Sequence, residues 1–176
     1  MNSDYKGLYI HFPFCKRKCY YCDFYTENYH HEKEKHFFEY LKKEFFLKKA
    51  DDFFYDTLYF GGGSPSLMNS HILRELKDFL NEFIEEDSEI SIEVNPEDID
   101  EEKVLCWKEL DINRISIGIQ GTDKNILRKV NRKQSNLGKK LDMIFPHFDN
   151  INFDFILGLP GENESNLRGN LDLIKE

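Results

Sequence analysis

The sequence predicts an α/β fold in which parallel strands alternate with helices and close partly into a barrel. Three observations predict it. Five short β-type segments are separated by segments whose apolar residues recur at helical spacing. Strands joined through helices pair in parallel with right-handed connections. Within the strands, apolar and polar residues alternate, so each strand has an apolar face and a polar face.

The alternation of apolar and polar residues can be followed within individual predicted strands. In the third, Ile90 and Ile92 point one way and Glu93 points the other; in the fifth, Asp154 lies opposite Phe153. The five predicted strands are 8–12 (LYIHF), 57–60 (TLYF), 89–94 (EISIEV), 114–119 (RISIGI) and 152–157 (NFDFIL).

The intervening helices are predicted from apolar residues on one face. Phe38, Leu41 and Phe45 share one face of the first helix, and Asn69 with Ser70 forms the expected N-terminal cap of the second. The apolar positions of the second helix and of the later crossovers are Ile72, Leu76, Phe79, Phe83, Val104, Trp107, Ile126, Val130 and the segment 137–145.

Helices that cover the apolar faces would leave the polar faces inside the barrel. Such burial is costly unless a polar ligand or a hydrogen-bond network satisfies these groups. The carboxyl ends of the strands are therefore the candidate site. An internal hydrogen-bond network without a ligand is the alternative.

Length, composition and charge narrow the class of protein. The chain has 176 residues, 40% of them hydrophobic, which suits one domain spanning 1–176. A net charge of -9 argues against nucleic acid as a partner. There is no signal-peptide pattern and no apolar run near the roughly 20 residues of a membrane span. We expect a soluble, cytoplasmic protein.

Three of the four cysteines form a CxxxCxxC motif after the first predicted strand: Cys15, Cys19 and Cys22. This spacing strains disulfide pairing and suits a metal or cluster in a reducing compartment. Three thiolates on a four-iron cluster leave one iron open to another ligand. A zinc site with His11 as fourth ligand, or three unligated thiols, are the alternatives. Cys106 is expected to be a small buried apolar residue without a function.

Six motifs follow one another along the chain: YIHFPFCKRKCYYCDFY, YFGGGSPS, IEVNP, RISIGIQ, VNRKQS and NFDFILGLPGE. Together they resemble the radical S-adenosylmethionine (SAM) subgroup that contains oxygen-independent coproporphyrinogen III oxidases and the related heme chaperones. The resemblance implies a parallel (βα) partial TIM-type barrel, a 4Fe-4S cluster, and SAM bound at the open iron. One electron from the cluster would then cleave SAM into methionine and a 5′-deoxyadenosyl radical that abstracts hydrogen.

The resemblance also implies the site residues, with Cys15, Cys19 and Cys22 as cluster ligands. The positions that it implies for contacts with SAM are Tyr9, Tyr21, Gly62, Gly63, Ser64, Glu93, Gln120, Arg132 and Asp154. The run of glycines that includes Gly61 would let the backbone approach SAM without a Cβ in the way, and an ordinary tight turn is the alternative. For Arg132, in a loop-like segment, a solvated surface side chain is the alternative.

Departures from the family pattern favour one branch. Asp23 and Phe24 follow the third cysteine, whereas the oxidases have a fourth cysteine two residues after it; the CxxC-D-F form is similar to the heme chaperone branch. The chain also begins a few residues before its first strand. Ser64 replaces the usual threonine, and Gly121 replaces serine. We expect a heme chaperone of porphyrin and heme metabolism, with heme as a further ligand.

Two alternatives remain for the function. The first is an oxygen-independent coproporphyrinogen III oxidase, an oxidoreductase that decarboxylates propionate side chains. The second is an inactive, truncated metal-binding remnant. The implied partners are heme or a porphyrin substrate, a reductant protein such as flavodoxin or ferredoxin, and heme-recipient proteins. Because the family continues through at least a sixth strand, we expect a barrel truncated after about the fifth strand, with an exposed edge and marginal stability.

Overall fold

The computed structural model describes residues 6–48 and 54–175 of the chain. Its strands and helices are β1 (Gly7–Phe12), β2 (Phe14–Cys15), β3 (Glu27–Asn28), α1 (His31–Lys48), β4 (Tyr55–Gly62), α2 (Ser70–Leu80), β5 (Ile84–Val94), α3 (Glu101–Glu109), β6 (Arg114–Gln120), α4 (Lys124–Lys129), α5 (Leu137–Ile144), β7 (Ile151–Phe155) and α6 (Glu164–Lys175). In these residues no helix is long and apolar enough to cross a membrane.

Five strands form the main sheet, in the order β1, β4, β5, β6, β7, and every neighbouring pair is parallel. Each main-sheet strand therefore lies beside the main-sheet strand that precedes it in the chain, the usual arrangement when the connections are short. The α/β class and the parallel sheet predicted from the sequence are confirmed. In the described residues β1 and β7 are the edges of this partial barrel.

A single row of apolar residues crosses the sheet and forms the centre of the core. The register aligns Ile10 with Phe60, Phe60 with Ile92, Ile92 with Ile115, and Ile115 with Ile151. The first four are at most 3% exposed. Helix side chains cover this face, which is why the strands alternate in sequence.

The predicted helices form, with shifts at three of their ends: Val130 follows α4, Phe145 follows α5, and Phe83 follows α2. Phe38 and Phe45 are buried on α1, and the Asn69 side chain accepts a hydrogen bond from the His71 amide at 2.9 Å, which caps α2. Phe83 lies beyond α2, in the short 3-10 turn Asn81–Phe83. The turn begins where α2 ends, so the apolar spacing continues past the α-helix.

Helix α6 and the two-stranded sheet were not predicted. The α6 sequence does place Leu167, Leu171 and Ile174 at helical spacing, a signal that was overlooked, although Gly169 lies within it. It is held by tertiary contacts: the buried Asn170 side chain accepts from the Thr122 amide and hydroxyl, both at 2.9 Å. Strands β2 and β3 have two residues each, too few for a periodic signal.

The short sheet holds the two ends of the cysteine loop together. The Glu27 amide donates to the Pro13 carbonyl at 2.7 Å, and the Tyr29 amide donates to the Cys15 carbonyl at 3.0 Å. Glu34, which is fully buried, accepts from the Tyr29 hydroxyl at 2.8 Å and from the Asn69 amide at 2.7 Å. These bonds tie the loop to α1 and to the segment that follows β4.

Candidate functional site

A cleft of about 440 Å³ lies at the carboxyl ends of the main-sheet strands, as the alternation of the strands predicted. The cysteine loop forms one wall, and the last residues of β4, β5, β6 and β7 form the other. Of the twelve residues predicted for the site, eleven line this cleft. They are Cys15, Cys19, Cys22, Tyr21, Gly62, Gly63, Ser64, Glu93, Gln120, Arg132 and Asp154.

The three cysteines of the motif are half-buried free thiols in this wall. Cys15 Sγ lies 3.7 Å from the Ser64 hydroxyl, and the Cys22 amide donates to the Cys19 carbonyl at 3.2 Å. Burial raises the pKa of the Cys15 thiol; the hydrogen bond to Ser64 lowers this pKa, and the charges of Cys22 and Cys19 raise it. Three thiols that interact in this way would gain from a shared cation, so the donor set fits an iron-sulfur cluster.

The structure bears on the zinc alternative as well. Among residues 6–48 and 54–175, no three His, Cys, Asp or Glu side chains are gathered around one point as the ligands of a single metal ion would be. A single zinc ion needs its ligand atoms within about 2.3 Å of one point, whereas cluster thiolates bind separate irons. His11 has other partners: its Nδ1 lies 3.3 Å from the Tyr9 hydroxyl, and its Nε2 lies 3.2 Å from the Tyr25 carbonyl oxygen.

The glycine run packs closely against the cysteine loop. A Cβ on Gly63 would lie 2.6 Å from the Phe14 carbonyl oxygen, and Gly62 has a φ of +112°. The amides of this segment have protein acceptors: Gly63 donates to the Phe12 carbonyl at 2.7 Å, and Ser64 donates to the Phe14 carbonyl at 2.9 Å. Glycine is therefore required here for close backbone packing, while a contact with SAM stays a prediction.

Glu93, at the end of β5, is a partly buried carboxylate at the cleft. It accepts from the Tyr59 hydroxyl at 3.0 Å and from the Gly62 amide at 3.1 Å. Burial raises its pKa; the two hydrogen bonds lower it, and the charge of Asp154 raises it. Burial, together with the Glu93 charge, raises the pKa of Tyr59 to about 12.

Tyr9 is the predicted residue that does not line the cleft. Its ring stacks on Tyr59 with 5.9 Å between the ring centroids, and its side chain is 53% exposed. Burial, and then the charge of Glu93, raise its pKa. Tyr9 therefore lies outside the cleft lining, where it packs against Tyr59 and lies within hydrogen-bonding distance of His11.

Arg132 points into the cleft, so the solvated-surface alternative for this residue is wrong. Its Nη1 donates to the Tyr21 hydroxyl at 3.2 Å and lies 4.0 Å from Cys19 Sγ, and its Nη2 donates to the Gly118 carbonyl. Its buried Nε has no hydrogen-bond partner among the described residues. Asn131, with φ of +57°, turns the chain back after α4 and aims Arg132 at the sheet. A buried donor of this kind fits an anionic ligand group.

The β6 and β7 side of the cleft is a polar network. Asp154 accepts from the Ser116 hydroxyl at 2.9 Å and from the Asn152 side-chain amide at 2.7 Å. Gln120, at φ of +65°, sits where the register between β6 and β7 shifts, and it lines the same cleft. These acceptors and donors border the space between the sheet and the cysteines.

One network near the site was missed by sequence reasoning. Asp98, whose side chain is 1% exposed, forms an ion pair with Lys16 at 2.8 Å and accepts from the Ser66 hydroxyl at 2.9 Å. Ser66 Oγ in turn accepts from the Asn95 amide at 3.0 Å. The network joins the cysteine loop, the turn after β4 and the turn after β5. Its members are far apart in sequence, so no local pattern indicates it.

Replacing Glu93 by glutamine is expected to stabilise the ligand-free chain at neutral pH and to weaken SAM binding. Because the folded-state pKa is raised, the protonated carboxyl stabilises the fold fully below its ordinary pKa of about 4.3. That contribution is lost as the pH rises through the folded-state pKa, whereas glutamine stays neutral. Urea unfolding between about pH 4 and pH 8 measures the difference, and calorimetry measures SAM binding.

The exposed carboxylate of Glu82, in the turn after α2, provides the matched control. Glu82→Gln should change neither the pH dependence of unfolding nor SAM binding. A Glu93→Gln protein that is less stable than the wild type at every pH would show that the two hydrogen bonds outweigh the cost of burying the charge.

Comparison with known proteins agrees with this geometry. Residues 9–174 match the family model described as the Radical SAM superfamily. The heme chaperone HemW of Bacillus subtilis is 30% identical over 95% of this chain and 46% of its own length. The oxygen-independent coproporphyrinogen III oxidase of Synechocystis is 32% identical over 94% of this chain and 37% of its own length. The chain thus spans less than half the length of these curated relatives.

A solved structure gives the same result for the fold. The coproporphyrinogen III oxidase HemN of Escherichia coli, whose structure is described as that of a radical SAM enzyme, superposes with a TM-score of 0.89. The match has 28% sequence identity and covers 97% of this chain and 41% of the HemN chain. The α/β sheet described above is therefore the radical SAM fold.

Proposed function

Because this chain belongs to the radical SAM superfamily, we propose that it binds a 4Fe-4S cluster through Cys15, Cys19 and Cys22 and binds SAM in the adjoining cleft. The observation that carries the proposal is the composition of that cleft. Three free thiols form one wall, and the buried, unpartnered Nε of Arg132 and the carboxylate of Glu93 belong to the same cavity. Such a set suits an iron-sulfur cluster beside a ligand with both an anionic and a cationic group.

A bound cluster would supply one electron, and bound SAM would supply the sulfonium carbon–sulfur bond that this electron breaks. In our proposal Arg132 donates to the carboxylate of the methionine moiety, since its Nε is a buried donor in need of an acceptor. Glu93, Gln120 and Asp154 provide polar groups for the ribose and the adenine. Ser64 contacts Cys15 and thereby orients one ligand of the cluster.

We further propose that the whole protein acts as a heme chaperone of the HemW kind in the cytoplasm. Phe24 stands where the oxidase pattern has a fourth cysteine, and it lines the cleft with 64% of its surface exposed. An exposed ring at the mouth of the cleft suits contact with a planar apolar ligand such as heme. The similarity to HemW of Bacillus subtilis supports this branch.

The second candidate is an oxygen-independent coproporphyrinogen III oxidase. The similarity to the Synechocystis oxidase and the superposition on HemN favour it. In this case a porphyrinogen replaces heme as the partner of the site. The two candidates share the cluster and SAM, so they differ in what happens to the tetrapyrrole.

Anaerobic reconstitution with iron and sulfide is expected to give a brown protein with about four irons and four sulfides per chain. With SAM and a reductant this protein should release 5′-deoxyadenosine and methionine. A colourless, zinc-loaded product would overturn the proposal. A cluster without SAM cleavage would identify the inactive metal-binding alternative.

Two added tetrapyrroles then separate the candidates for the whole protein. Stable binding of heme without its consumption is expected for a chaperone. Release of carbon dioxide from coproporphyrinogen, in the presence of SAM and reductant, would instead identify the oxidase.

A further inference from the structure

A second hollow, of about 370 Å³, lies beside the cysteine loop. The charged side chains that line it are all positive, whereas the chain as a whole is negative. The cationic lining residues of this hollow are Arg17, Lys124, Arg128, Arg132 and Lys133, and no acidic side chain lines it. We call this hollow the basic pocket. The whole chain has a net charge of -9, so this cluster of cations is opposite in sign to the net charge of the protein.

The cations of the basic pocket are not neutralised by ion pairs with any part of the chain that the structure describes. Among the described residues, Arg17, Lys124, Arg128 and Lys133 have no ion-pair partner. The carboxylate of Asp123, which precedes Lys124, accepts from the Asn125 amide at 2.7 Å and caps α4. Like charges held together raise the energy of the free protein, and an anionic partner relieves this repulsion.

Two hydrogen bonds hold the turn after α4, which lines the basic pocket, against the cysteine loop. The Asn131 side-chain amide donates to the Lys18 carbonyl at 2.9 Å, and the Tyr20 amide donates to the Val130 carbonyl at 3.0 Å. These bonds join the loop that contains Cys19 to the turn after α4. The cations on both segments are therefore held in one arrangement.

The basic pocket adjoins the cleft that the three cysteines line. Arg17 and Arg132 line both the basic pocket and the cleft. A third hollow is lined by Cys19 together with Arg17 and Lys133. This third hollow also contains Glu97 and Asp98, so Cys19 does not line the basic pocket itself but shares Arg17 and Arg132 with it as neighbours in the cleft.

We infer that the basic pocket, together with Tyr20, is the docking surface for an acidic one-electron donor protein that reduces the cluster. The inference rests on the proposed function, which requires an electron from outside the cleft that SAM would fill. Tyr20 is 76% exposed, and exposed Tyr and Arg side chains are the typical anchors of protein interfaces. The Tyr20 amide bonds to the turn after α4, so an exposed aromatic ring belongs to the same surface region, which favours a protein over a small anion.

The electron transfer needs no change in covalent structure. The donor protein loses one electron and the oxidised cluster gains it, and no bond is made or broken. Complementary charge mainly raises the rate of encounter between two proteins, by roughly 10- to 1,000-fold where steering is strong. Reduction by an acidic donor should therefore depend on the basic pocket and on ionic strength.

The test compares two double variants of the reconstituted chain. Lys124→Glu with Arg128→Glu reverses charge in the basic pocket at two exposed residues that do not line the cleft. Lys35→Glu with Lys139→Glu makes the same change in net charge at exposed positions on α1 and α5. Stopped-flow bleaching of the cluster by reduced flavodoxin, an acidic donor, is the readout. Reduced methyl viologen, a small cation that a basic surface does not attract, is the second reductant.

With flavodoxin, the Lys124/Arg128 variant should be reduced at least about tenfold more slowly than the wild type and should lose the dependence on salt. With methyl viologen, both variants should match the wild type. Equal rates with flavodoxin in all three proteins would overturn the docking surface, as would an equal slowing with both reductants. Loss of heme binding at an unchanged flavodoxin rate would assign the pocket to propionate carboxylates instead. Absence of the cluster chromophore in the wild type would refute the proposed function itself.

Discussion

Replacement of Cys19 by alanine is expected to abolish assembly of the 4Fe-4S cluster. Cys19 is the middle ligand of the motif, and Arg132 Nη1 lies 4.0 Å from its Sγ. Removing it leaves two cysteines of the motif, and the guanidinium beside the lost thiolate cannot bind iron in its place. Iron analysis and the visible spectrum after anaerobic reconstitution should show less than about a tenth of the wild-type cluster, with SAM cleavage lost in parallel.

Cys106 provides the matched control for this experiment. It is 1% exposed in the core, and its thiol lies 3.8 Å from the Ser70 carbonyl oxygen. Cys106→Ala should keep the full cluster and lose about 1 kcal/mol of unfolding free energy from the small cavity. If Cys19→Ala retained four irons, or if Cys106→Ala lost them, the assignment of the ligands would be wrong.

Gly63→Ala is expected to cause the largest loss of stability among single methyl additions to this chain. The new Cβ would lie 2.6 Å from the Phe14 carbonyl oxygen and 3.0 Å from the Phe12 carbonyl oxygen. Both contacts are with backbone, which cannot rotate away as a flexible side chain can. Relief would require β1 and the segment after β4 to separate, which breaks the hydrogen bond from the Gly63 amide to Phe12.

We expect Gly63→Ala to lower the free energy of unfolding by about 3 kcal/mol or more. This is the upper end of the usual cost of adding a methyl group at a closely packed position. Urea unfolding followed by circular dichroism measures this change. The displaced loop should also lower the yield of reconstituted cluster, because Cys15 directly follows Phe14 in β2. A stable Gly63→Ala protein that assembles the cluster normally would contradict this account of the glycine.

Gly138→Ala is the matched control for Gly63→Ala, because the same methyl group at Gly138 would have no neighbouring atom within 4 Å. Gly138 lies in the first turn of α5, where alanine is the better helix former. Gly138→Ala should leave cluster assembly unchanged and raise the free energy of unfolding by up to about 1 kcal/mol. The same methyl group is thus added against backbone atoms at Gly63 and into open space at Gly138.

The alternation of residues in the strands predicted most of the fold and the location of the site. A period of two in β5 and β6 follows from burial of one face, and the structure confirms it in the buried Ile92 and Ile115. Carboxyl ends of parallel strands meet at one edge of a sheet, so the end of β5 and β7 had to face the same space. This argument brought Glu93 and Asp154 together although they are 61 residues apart in the chain.

The direction of the Arg132 side chain could not be predicted from alternation. Arg132 lies in an irregular loop, which has no period from which a direction can be read. The left-handed Asn131 and the hydrogen bond from Asn131 to the Lys18 carbonyl turn this loop toward the cysteines. Both depend on contacts between distant segments, and so the surface alternative could be rejected only from the structure.

The sequence by itself determined the parallel α/β fold, the cysteine motif and the polar strand positions, because each depends on local spacing along the chain. Only the tertiary structure decided that Arg132 enters the cleft, that Tyr9 lies outside it, that Asp98 is buried against Lys16, and that the cations form one pocket adjoining the cleft. These features join residues from different strands and loops, so their energies depend on how the chain packs. No spacing within one segment contains that information.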